Sequence, residues 1–432
     1  MYIGFKDEIL LKQAPNCFYF YFGKQSYSFS TEINETAFQI IKLLNGQFTI
    51  NEIIENLSIR YNEPSKAVRE KVLNFINSIA ALIDYSEHRL KNKVINSGSN
   101  EYYTPHFAII ELTHNCPLRC KHCFLNAGLG ETADFNKLKT VIQKMIKFGI
   151  VNIQLTGGEP FVYSEIEEII DMLIAAKISI SITTSGFVFN PKVKRIIDKL
   201  VDKKTLIQVS LDGLKNTHDE IRQVKGTYKK VLEFIKYCVE KKLTVAIATT
   251  IIDQEYEEVF QLSKILRDIG VRQHRIGSII ELGRSKENNI KTVNVEKIVS
   301  NLKKELETET FIVQTQENIN PCKECNCGSG FKIIKMSPNF DINPCIISDT
   351  IIGNLNIDDW QEIFKRNSNV FSSLKRPFRD SICIDCDKKE QCNNCMAQGV
   401  AQYQNTGECA WYEKYYKPAI LSFDKDLYYE RA

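Results

Sequence analysis

Residues 107–123 read Phe-Ala-Ile-Ile-Glu-Leu-Thr-His-Asn-Cys-Pro-Leu-Arg-Cys-Lys-His-Cys, an apolar run followed at once by three cysteines. The run Phe107–Leu112 predicts a buried strand, and Cys116, Cys120 and Cys123 fall in the loop behind it. Three thiolates at this spacing can bind three irons of a cubane cluster and leave the fourth iron open. A structural zinc site requires a fourth ligand, and no other cysteine is near in the sequence. The stretch therefore favours an open iron–sulfur site over buried or zinc-bound cysteines.

Strand and helix patterns alternate from residue 107 to about residue 312. Five more short β-branched runs predict strands: Val151–Leu155, Ile178–Thr183, Leu206–Leu211, Leu243–Thr250 and His274–Ser278. Because parallel strands joined by helices carry their chemistry at their C-terminal ends, we expect the functional residues there. Unusual residues do follow these strands, namely Gly157-Gly-Glu-Pro, Ser185-Gly, and Ser210 with Asp212. The pattern predicts an α/β fold whose parallel sheet is closed or partly closed into a barrel.

The composition is that of a globular protein of two or three domains. Of the 432 residues, 43% are hydrophobic and 25% are charged, and the net charge is +3. This near-neutral charge argues against a nucleic-acid binder. The sequence shows neither a long apolar run nor a secretory signal, so we expect a cytoplasmic protein with no membrane segment. In such a chain, 14 cysteines indicate metal or cluster ligands rather than disulfides.

The first 95 residues predict a small winged-helix-like module. Phe18–Phe22 and Tyr27–Ser30 read as a hairpin joined at Gly23. Three helical patterns follow, one from near Asn34 to Gly46, one after Thr49 and one from Val68 to Ile83. Residues 96–104, which include Ser97-Gly-Ser-Asn, read as a linker. The barrel is then expected over residues 105–315 and a cysteine-rich domain over residues 316–432.

The spacing Cys-x3-Cys-x2-Cys after a first strand resembles the signature of the radical S-adenosylmethionine (radical SAM) superfamily, and the likeness extends over roughly residues 105–315. It implies a partial (β/α)6 barrel with S-adenosylmethionine bound to a 4Fe–4S cluster on Cys116, Cys120 and Cys123. In this superfamily the cofactor yields a 5′-deoxyadenosyl radical that takes hydrogen from unactivated carbon, while the protein orients the reactants. The implied S-adenosylmethionine contacts are Gly157, Gly158 and Glu159 at the methionine amino group, Ser210, Asp212 and Arg222 at the ribose and methionine carboxylate, and His122 beside the adenine.

Nine more cysteines crowd the last quarter of the chain. Behind a radical SAM core they resemble the SPASM extension, which holds two auxiliary 4Fe–4S clusters. This resemblance assigns Cys327, Cys345 and Cys395, with Cys322 or Cys325 as the fourth ligand, to the first cluster, and Cys383, Cys386, Cys392 and Cys409 to the second. Two Cys-x2-Cys pairs also fit a zinc ribbon. The sequence departs from the SPASM pattern at Phe340, where glycine is usual, and in the two-residue gap between Cys392 and Cys395.

The N-terminal module resembles the elements that bind leader peptides in ribosomal peptide biosynthesis by strand addition to an exposed sheet edge. Three segments make the whole chain similar to sactipeptide maturases of the subtilosin type: Ser97-Gly-Ser-Asn-Glu, Glu111-Leu-Thr-His and Asn326-Cys-Gly-Ser-Gly-Phe-Lys. The likeness implies an enzyme that joins a cysteine sulfur to the α-carbon of another residue in a precursor peptide with a leader. It implies an electron donor such as a flavodoxin or ferredoxin, and neither nucleic acid nor membrane as a partner.

Several alternatives stay open. Related radical SAM enzymes include peptide epimerases, carbon–carbon crosslinkers and maturases that join sulfur to β- or γ-carbons. An epimerase needs a thiol hydrogen donor, and only Cys17, Cys238 or a spare one of Cys322 and Cys325 is available. We interpret Cys17 and Cys238 as small buried hydrophobes, and Arg284, just past the sixth strand, as a solvated loop arginine. Among proteins that are not enzymes, the alternative is a cysteine-rich, zinc-binding regulator whose winged helix binds DNA.

Overall fold

The structure is a computed structural model that describes residues 1–23, 29–280, 282–290, 293, 295–315, 328–348, 350–368, 385–386, 403 and 407–417. These residues form an N-terminal module, a large parallel sheet flanked by helices, and the first part of a C-terminal region. Six of the predicted cluster ligands lie outside the described residues: Cys322, Cys325, Cys327, Cys383, Cys392 and Cys395. In the described ranges, no helix combines the length and apolarity that crossing a bilayer requires.

The N-terminal module is a sheet covered by three helices. Its strands are β1 (Tyr2–Phe5), β2 (Ile9–Ala14), β3 (Cys17–Phe22), β4 (Phe29–Ile33), β5 (Ile83–Ser86) and β6 (Val94–Gly98), and its helices are α1 (Glu35–Leu43), α2 (Ile50–Tyr61) and α3 (Ser65–Ser78). The main sheet has the order β4-β3-β2-β6, and β1 pairs with β5. The predicted hairpin is confirmed as β3 and β4. Asn34 and Thr49 start α1 and α2, because their side-chain oxygens accept a backbone N–H of the first turn.

The main sheet of this module has two buried faces. Leu11 and Phe20 face the helices of the module, whereas Leu10, Tyr19 and Tyr21 join the core of the larger domain. The sheet therefore lies between its own helices and the barrel. Strand β6 continues through Gly98, into residues for which the sequence predicts a linker.

Residues 107–315 form the predicted parallel α/β sheet. Its strands are β7 (Phe107–Thr113), β8 (Asn152–Gly157), β9 (Ser179–Thr184), β10 (Leu206–Ser210), β11 (Thr244–Thr250), β12 (Gln273–Gly277) and β13 (Ile312–Thr315), and its helices are α4 (Phe135–Lys147), α5 (Ile166–Ala175), α6 (Pro191–Leu200), α7 (Lys215–Arg222), α8 (Thr227–Glu240), α9 (Tyr256–Ile269), α10 (Arg284–Glu287) and α11 (Glu296–Leu306). The strands pair in parallel in sequence order from β7 to β13. The six predicted strands and the partial barrel are confirmed. Strand β13 adds a seventh, whose four residues are too short a run to stand out in the sequence.

The two faces of the parallel sheet differ in polarity. Apolar residues such as Ile110 and Leu155 pack with the helices in the main core. The alternate residues face the inside of the barrel, and many of them are polar. Gln154 donates a hydrogen bond to Thr183 at 2.7 Å, and Arg275 donates one to Gln208 at 2.7 Å. The inner face of the barrel is therefore polar, whereas its outer face is apolar.

The C-terminal region extends the same sheet. It contributes β14 (Ile333–Met336), β15 (Asp341–Asn343), β16 (Gly353–Asn354) and α12 (Trp360–Arg366), and a short helix over Tyr412–Tyr416. Strand β14 pairs in parallel with β7 and forms a hairpin with β15. Phe340 in this hairpin has a φ of +67°, which explains why glycine is usual there. Such strain costs about 1–3 kcal/mol, and burial of the Phe340 ring offsets it by about 1.5–3 kcal/mol.

The N-terminal module docks where the barrel strands begin. Lys12 is fully buried, and its Nζ donates to the carbonyl oxygens of Pro105 at 2.5 Å and Gly149 at 2.9 Å, which precede β7 and β8. The ring of Tyr19 meets His106 edge-on, with the centroids 4.5 Å apart. Burial lowers the pKa of both Lys12 and His106. The module is therefore joined to the barrel by a buried junction, at the opposite end of the strands from the cysteine loop.

Candidate active site

The cysteine loop leaves the C-terminal end of β7 and is held by backbone hydrogen bonds. The Cys116 N–H donates to the Gly128 oxygen at 2.8 Å, and the Gly128 N–H donates to the His114 oxygen at 2.9 Å. The Arg119 guanidinium donates to the Cys116 oxygen at 3.0 Å. Cys120 is buried, and Cys116 and Cys123 are half-buried. The loop therefore presents three thiols at one end of the barrel.

Arg284 braces the cysteine loop from the far side of the barrel. Its backbone N–H donates to the Cys123 oxygen at 3.0 Å, and its side chain donates to the oxygens of Cys120 and Ala127, each at 2.8 Å. Gly283 permits this approach, since its φ is +55° and a Cβ would lie 2.6 Å from the Cys123 oxygen. The interpretation of Arg284 as a solvated loop arginine is therefore wrong. Arg284 follows directly after the sixth strand, at the end of the barrel that carries the cysteine loop, and this position in the sequence could have indicated the contact.

Gly157 and Gly158 bring a second loop against the cysteine loop. The Gly158 N–H donates to the Thr113 oxygen at 2.7 Å, and the Glu159 N–H donates to the Asn115 oxygen at 2.9 Å. A Cβ on Gly157 would lie 2.3 Å from the Thr113 oxygen, and one on Gly158 would lie 2.4 Å from the Asn115 oxygen. Any side chain at either position would push the two loops apart. The close packing of the two backbones is therefore sufficient to explain why glycine occupies both positions.

Glu159 is fully buried, and its carboxylate is held by the chain itself. Oε1 accepts from Thr184 Oγ1 at 2.7 Å and from the Phe161 N–H at 3.2 Å, and Oε2 accepts from the Ser185 N–H at 2.9 Å and Oγ at 2.5 Å. Burial raises the pKa of Glu159 against the opposing effect of these hydrogen bonds. The donors fill about the whole lone-pair capacity of a carboxylate. Glu159 thus ties the end of β8 to the end of β9, and its contact with a methionine amino group stays a prediction.

Asp212 and Arg222 form a buried ion pair beside the cysteine loop. Arg222 Nη2 lies 2.7 Å from Asp212 Oδ2, and Nη1 donates to Cys120 Sγ at 3.5 Å. Burial raises the pKa of Asp212, but the positive charge of Arg222 outweighs this effect and the net pKa is lowered. Burial lowers the pKa of Arg222, but the Asp212 carboxylate outweighs it and the net pKa is raised. Both groups are therefore charged, and the guanidinium faces the Cys120 sulfur.

His122 and His218 flank this ion pair as neutral imidazoles. Burial lowers the pKa of each to about 4. His218 Nδ1 accepts from the Asp212 N–H at 3.1 Å, and His122 Nε2 lies 3.8 Å from Asp212 Oδ2. Among the described residues, His122 Nδ1, His218 Nε2 and Arg222 Nε are buried without a hydrogen-bond partner. Because buried polar atoms are normally satisfied, these three atoms indicate that a polar ligand completes the site.

The three loop thiols fit a cluster in which each sulfur holds its own iron. Burial raises the pKa of Cys116 to about 12 and also raises the pKa of Cys120. Binding of a cluster is therefore coupled to loss of these thiol protons. Across the residues that the structure describes, no three His, Cys, Asp or Glu side chains converge as they would around a single metal ion. Thiols on separate corners of a cubane need not converge in this way.

The structure brings the predicted S-adenosylmethionine residues to one end of the sheet. Gly157 ends β8, Ser210 ends β10 on its polar face, and Arg222 ends α7. Of the predicted auxiliary ligands, Cys345 follows β15 and Cys409 packs partly against the main core, where its sulfur accepts the Tyr412 N–H at 3.4 Å. Cys386 is exposed. Because the other six ligands lie outside the described residues, the auxiliary clusters stay a prediction.

Two family models match separate parts of the chain. Residues 110–276 match the radical SAM superfamily, and residues 27–82 match coenzyme PQQ synthesis protein D (PqqD). The chain is 24% identical over 401 residues to the antilisterial bacteriocin subtilosin biosynthesis protein AlbA of Bacillus subtilis, and the match covers 88% of each protein. It is 27% identical over 205 residues to the sporulation killing factor maturation protein SkfB of Bacillus subtilis, covering 47% of this chain and 50% of SkfB.

A solved structure has the same fold over nearly the whole chain. Streptococcus suis SuiB, in a crystal structure with its precursor peptide SuiA, matches with a TM-score of 0.68 and 16% identity, covering 92% of this chain and 97% of SuiB. The radical SAM match begins in β7 and ends in β12, so it contains the cysteine loop, the two glycines and the Asp212–Arg222 pair. Members of that family use S-adenosylmethionine and a 4Fe–4S cluster, which suits the thiols and the unsatisfied polar atoms described above. This chain therefore contains a radical SAM domain over residues 110–276 and, ahead of it, a PqqD-like module over residues 27–82.

Proposed function

We propose that this protein is a peptide maturase that forms thioether crosslinks from cysteine sulfurs to α-carbons within a ribosomally made precursor peptide. The strongest support for this proposal is that a PqqD-like module packs against the radical SAM domain through a buried interface. The names of AlbA and SkfB refer to the biosynthesis of a bacteriocin and the maturation of a killing factor. The choice of an α-carbon thioether rests on the sequence resemblance to sactipeptide maturases.

In this proposal Cys116, Cys120 and Cys123 hold the 4Fe–4S cluster, and S-adenosylmethionine lies beside Arg222 and the two flanking histidines. Once bound, these groups supply the one-electron chemistry that removes a hydrogen atom from an unactivated carbon. The Arg222 guanidinium stabilises negative charge on the Cys120 sulfur. Because His218 Nδ1 accepts a hydrogen bond, its Nε2 carries the proton and is the donor toward the ligand. Burial of these groups excludes water from the site.

A thioether also requires removal of one electron. Each crosslink takes a hydrogen atom from the acceptor carbon, a proton from the thiol and one electron, so the peptide loses two hydrogens. Auxiliary 4Fe–4S clusters on the C-terminal cysteines would supply the redox capacity for that electron. A flavodoxin or ferredoxin as the electron donor and a cytoplasmic location belong to the same proposal.

Two of the candidate thiol hydrogen donors for an epimerase lie away from the proposed active site. Cys17 begins β3, whose residues pack at the junction with the N-terminal module. Cys238 is fully buried within α8, and burial raises the pKa of its thiol. Neither lies at the strand ends that carry the cysteine loop. These positions favour crosslinking over epimerisation.

The test uses the reconstituted enzyme and a candidate precursor, sought as a short cysteine-containing reading frame next to its gene. With S-adenosylmethionine and a reductant, we expect the peptide mass to fall by two hydrogens per crosslink and one cysteine per crosslink to resist alkylation. Tandem mass spectrometry then locates the acceptor carbon. A product in heavy water that gains deuterium and keeps every alkylatable cysteine would replace the proposal with an epimerase. A protein with all three loop cysteines changed to Ala is the matched control.

A further inference from the structure

Two polar side chains, Glu111 and Lys335, lie near each other on the inner face of the barrel. Glu111 belongs to β7, close to the end of the strand at which the cysteine loop begins. Its neighbours Ile110 and Leu112 pack with the helices in the main core, so alternation along the strand turns Glu111 to the inside. Lys335 in β14 is in register with Ile109, which alternation also turns inward. We call these two side chains the Glu111–Lys335 pair.

The Glu111 carboxylate has one oxygen without a partner. The residue is 1% exposed. His114 Nε2 lies 3.2 Å from Oε2, and Lys335 Nζ lies 3.9 Å from the same oxygen. Oε1 is buried and accepts no hydrogen bond from the residues that the structure describes. Because buried polar atoms are normally satisfied, Oε1 indicates a donor that comes from outside the chain.

Lys335 supplies the opposite hydrogen-bonding function beside this carboxylate. Its side chain is 11% exposed, and the 3.9 Å between Nζ and Glu111 Oε2 is too long for a hydrogen bond. Nζ makes no other hydrogen bond within the described ranges. The pair therefore presents an unused acceptor and unused donors side by side. Because the carboxylate and the ammonium offset each other's charge, the pair favours neither an anion nor a cation, but a neutral group that both donates and accepts.

A neighbouring polar side chain on the same face shows the contrast. Gln154 in β8 is in register with Ile109 and donates to Thr183 Oγ1 at 2.7 Å. Its hydrogen bond stays within the barrel wall. The Glu111–Lys335 pair differs because its free groups are left for a partner, and the amide of a peptide backbone carries the required N–H and carbonyl together.

We propose that the Glu111–Lys335 pair binds a backbone amide in the segment of the precursor peptide that is modified. The amide N–H donates to Glu111 Oε1, and the amide oxygen accepts from Lys335 Nζ. Reacting atoms have to approach to about 3–3.5 Å, so this segment has to reach the end of the barrel that carries the cysteine loop. This inference rests on the proposed peptide-maturase function and deepens it, because it states how the barrel holds the reacting segment.

The test compares precursor peptides in which one backbone amide at a time is replaced by an ester, which removes the N–H donor. The probe is a synthetic version of the candidate precursor, and kcat/KM for its conversion is measured with the full-length, cluster-loaded protein. In the unchanged protein we expect one ester position to lower kcat/KM by about 10- to 100-fold, as loss of a hydrogen bond to a charged group does. In Glu111→Leu the same ester should lower it by less than about twofold.

Three further variants separate contact with the peptide from a structural role. Glu111→Gln keeps an acceptor oxygen and should retain part of the ester effect. Lys335→Met removes the donor and should lower kcat/KM for the all-amide peptide by about tenfold. Gln154→Leu, at the side chain whose hydrogen bond stays within the barrel wall, is the matched control and should leave the ester effect unchanged. Circular dichroism checks the fold of each variant.

Two results would overturn the proposal. The first is that no single ester position stands out in the unchanged protein. The second is an ester effect that is as large in Glu111→Leu as in the unchanged protein, because a purely structural role or a trapped water molecule would leave the two changes independent. Every converted peptide is counted, whether crosslinked or epimerised, so failure of the thioether proposal appears instead in the mass and alkylation of the product.

Discussion

The two ends of the parallel sheet both bury basic side chains but satisfy them differently. At the N-terminal end, Lys12 donates to two backbone carbonyls across the junction. At the C-terminal end, Arg222 pairs with Asp212, yet its Nε and one nitrogen each of His122 and His218 are buried without a partner among the described residues. Burial of a basic side chain alone therefore does not mark a functional site. The functional site is instead marked by buried nitrogen atoms that lie beside the thiols and lack a hydrogen-bond partner among the described residues.

Another buried histidine sharpens this comparison. His274 in β12 is fully buried, as His218 is. Both of its ring nitrogens are hydrogen-bonded, Nδ1 to Ser263 Oγ and Nε2 to Thr249 Oγ1, each at 2.8 Å. His274 thus serves the core between β11, β12 and α9, whereas His122 and His218 keep a nitrogen for a ligand.

The largest effect is expected from the thiols at the C-terminal end. Changing Cys116, Cys120 and Cys123 together to Ala should abolish S-adenosylmethionine cleavage and remove one cluster's share of iron, because no other described group replaces the three sulfurs. Chromatography of 5′-deoxyadenosine and an iron assay measure the two losses. Cys238→Ala, a buried thiol outside the loop, should retain both. Cleavage that persists in the triple variant would contradict the placement of the cofactor at this end.

The next effect concerns the brace on the cysteine loop. Arg284→Ala removes the side-chain hydrogen bonds to the Cys120 and Ala127 oxygens. Loss of such an outer contact lowers metal affinity or activity by about 10- to 100-fold. We expect that reduction in iron retention under a chelator and in cleavage, with the cluster's electron paramagnetic resonance signal altered. Arg267→Ala, at an arginine that pairs with its neighbour Asp268, is the control. Unchanged iron retention in Arg284→Ala would show that the cysteine loop keeps its conformation without the Arg284 side chain.

The sequence predicts what is local and fails where the partners are distant. The six barrel strands and the cysteine loop are contiguous runs, so their pattern alone identified them. The interpretation of Arg284 as solvated fails because its hydrogen-bond partners lie in a loop far earlier in the chain. In the same way, nothing local indicates that Glu159 is held by Thr184 and Ser185 from the next strand. The resemblance to the SPASM pattern implies a glycine at Phe340, but the physical cause, a left-handed backbone in a tight hairpin, requires the structure.

A third prediction uses the pH dependence of stability to test the role of His274. Burial lowers its pKa to about 3 from an ordinary value of 6.5. Since the folded pKa is depressed, its contribution is fully present above pH 6.5 and is lost as the pH falls toward 3. Between pH 7 and pH 5 this amounts to about 2 kcal/mol of unfolding free energy. His274→Gln should reduce the pH dependence by that amount in urea unfolding, whereas His88→Gln, at an exposed site, should not. An unchanged pH dependence would mean that His274 titrates normally in the fold.

The smallest effect on chemistry is expected at the N-terminal end of the sheet. Lys12→Met keeps a long side chain in the junction but leaves the Pro105 and Gly149 oxygens without their donor. An unsatisfied buried acceptor costs about 1–3 kcal/mol, of which removal of a buried amine returns a part. We therefore expect a lower urea midpoint, while S-adenosylmethionine cleavage without peptide stays within about twofold, a change of less than 1 kcal/mol in the barrier. Lys229→Met, at an exposed lysine, should change neither.

Crosslinking of the precursor should fall more than cleavage in Lys12→Met, since the junction positions the PqqD-like module against the barrel. If Lys12→Met instead stopped cleavage while the protein stayed folded, the two ends of the sheet would be coupled, and the division between a structural end and a chemical end would be wrong.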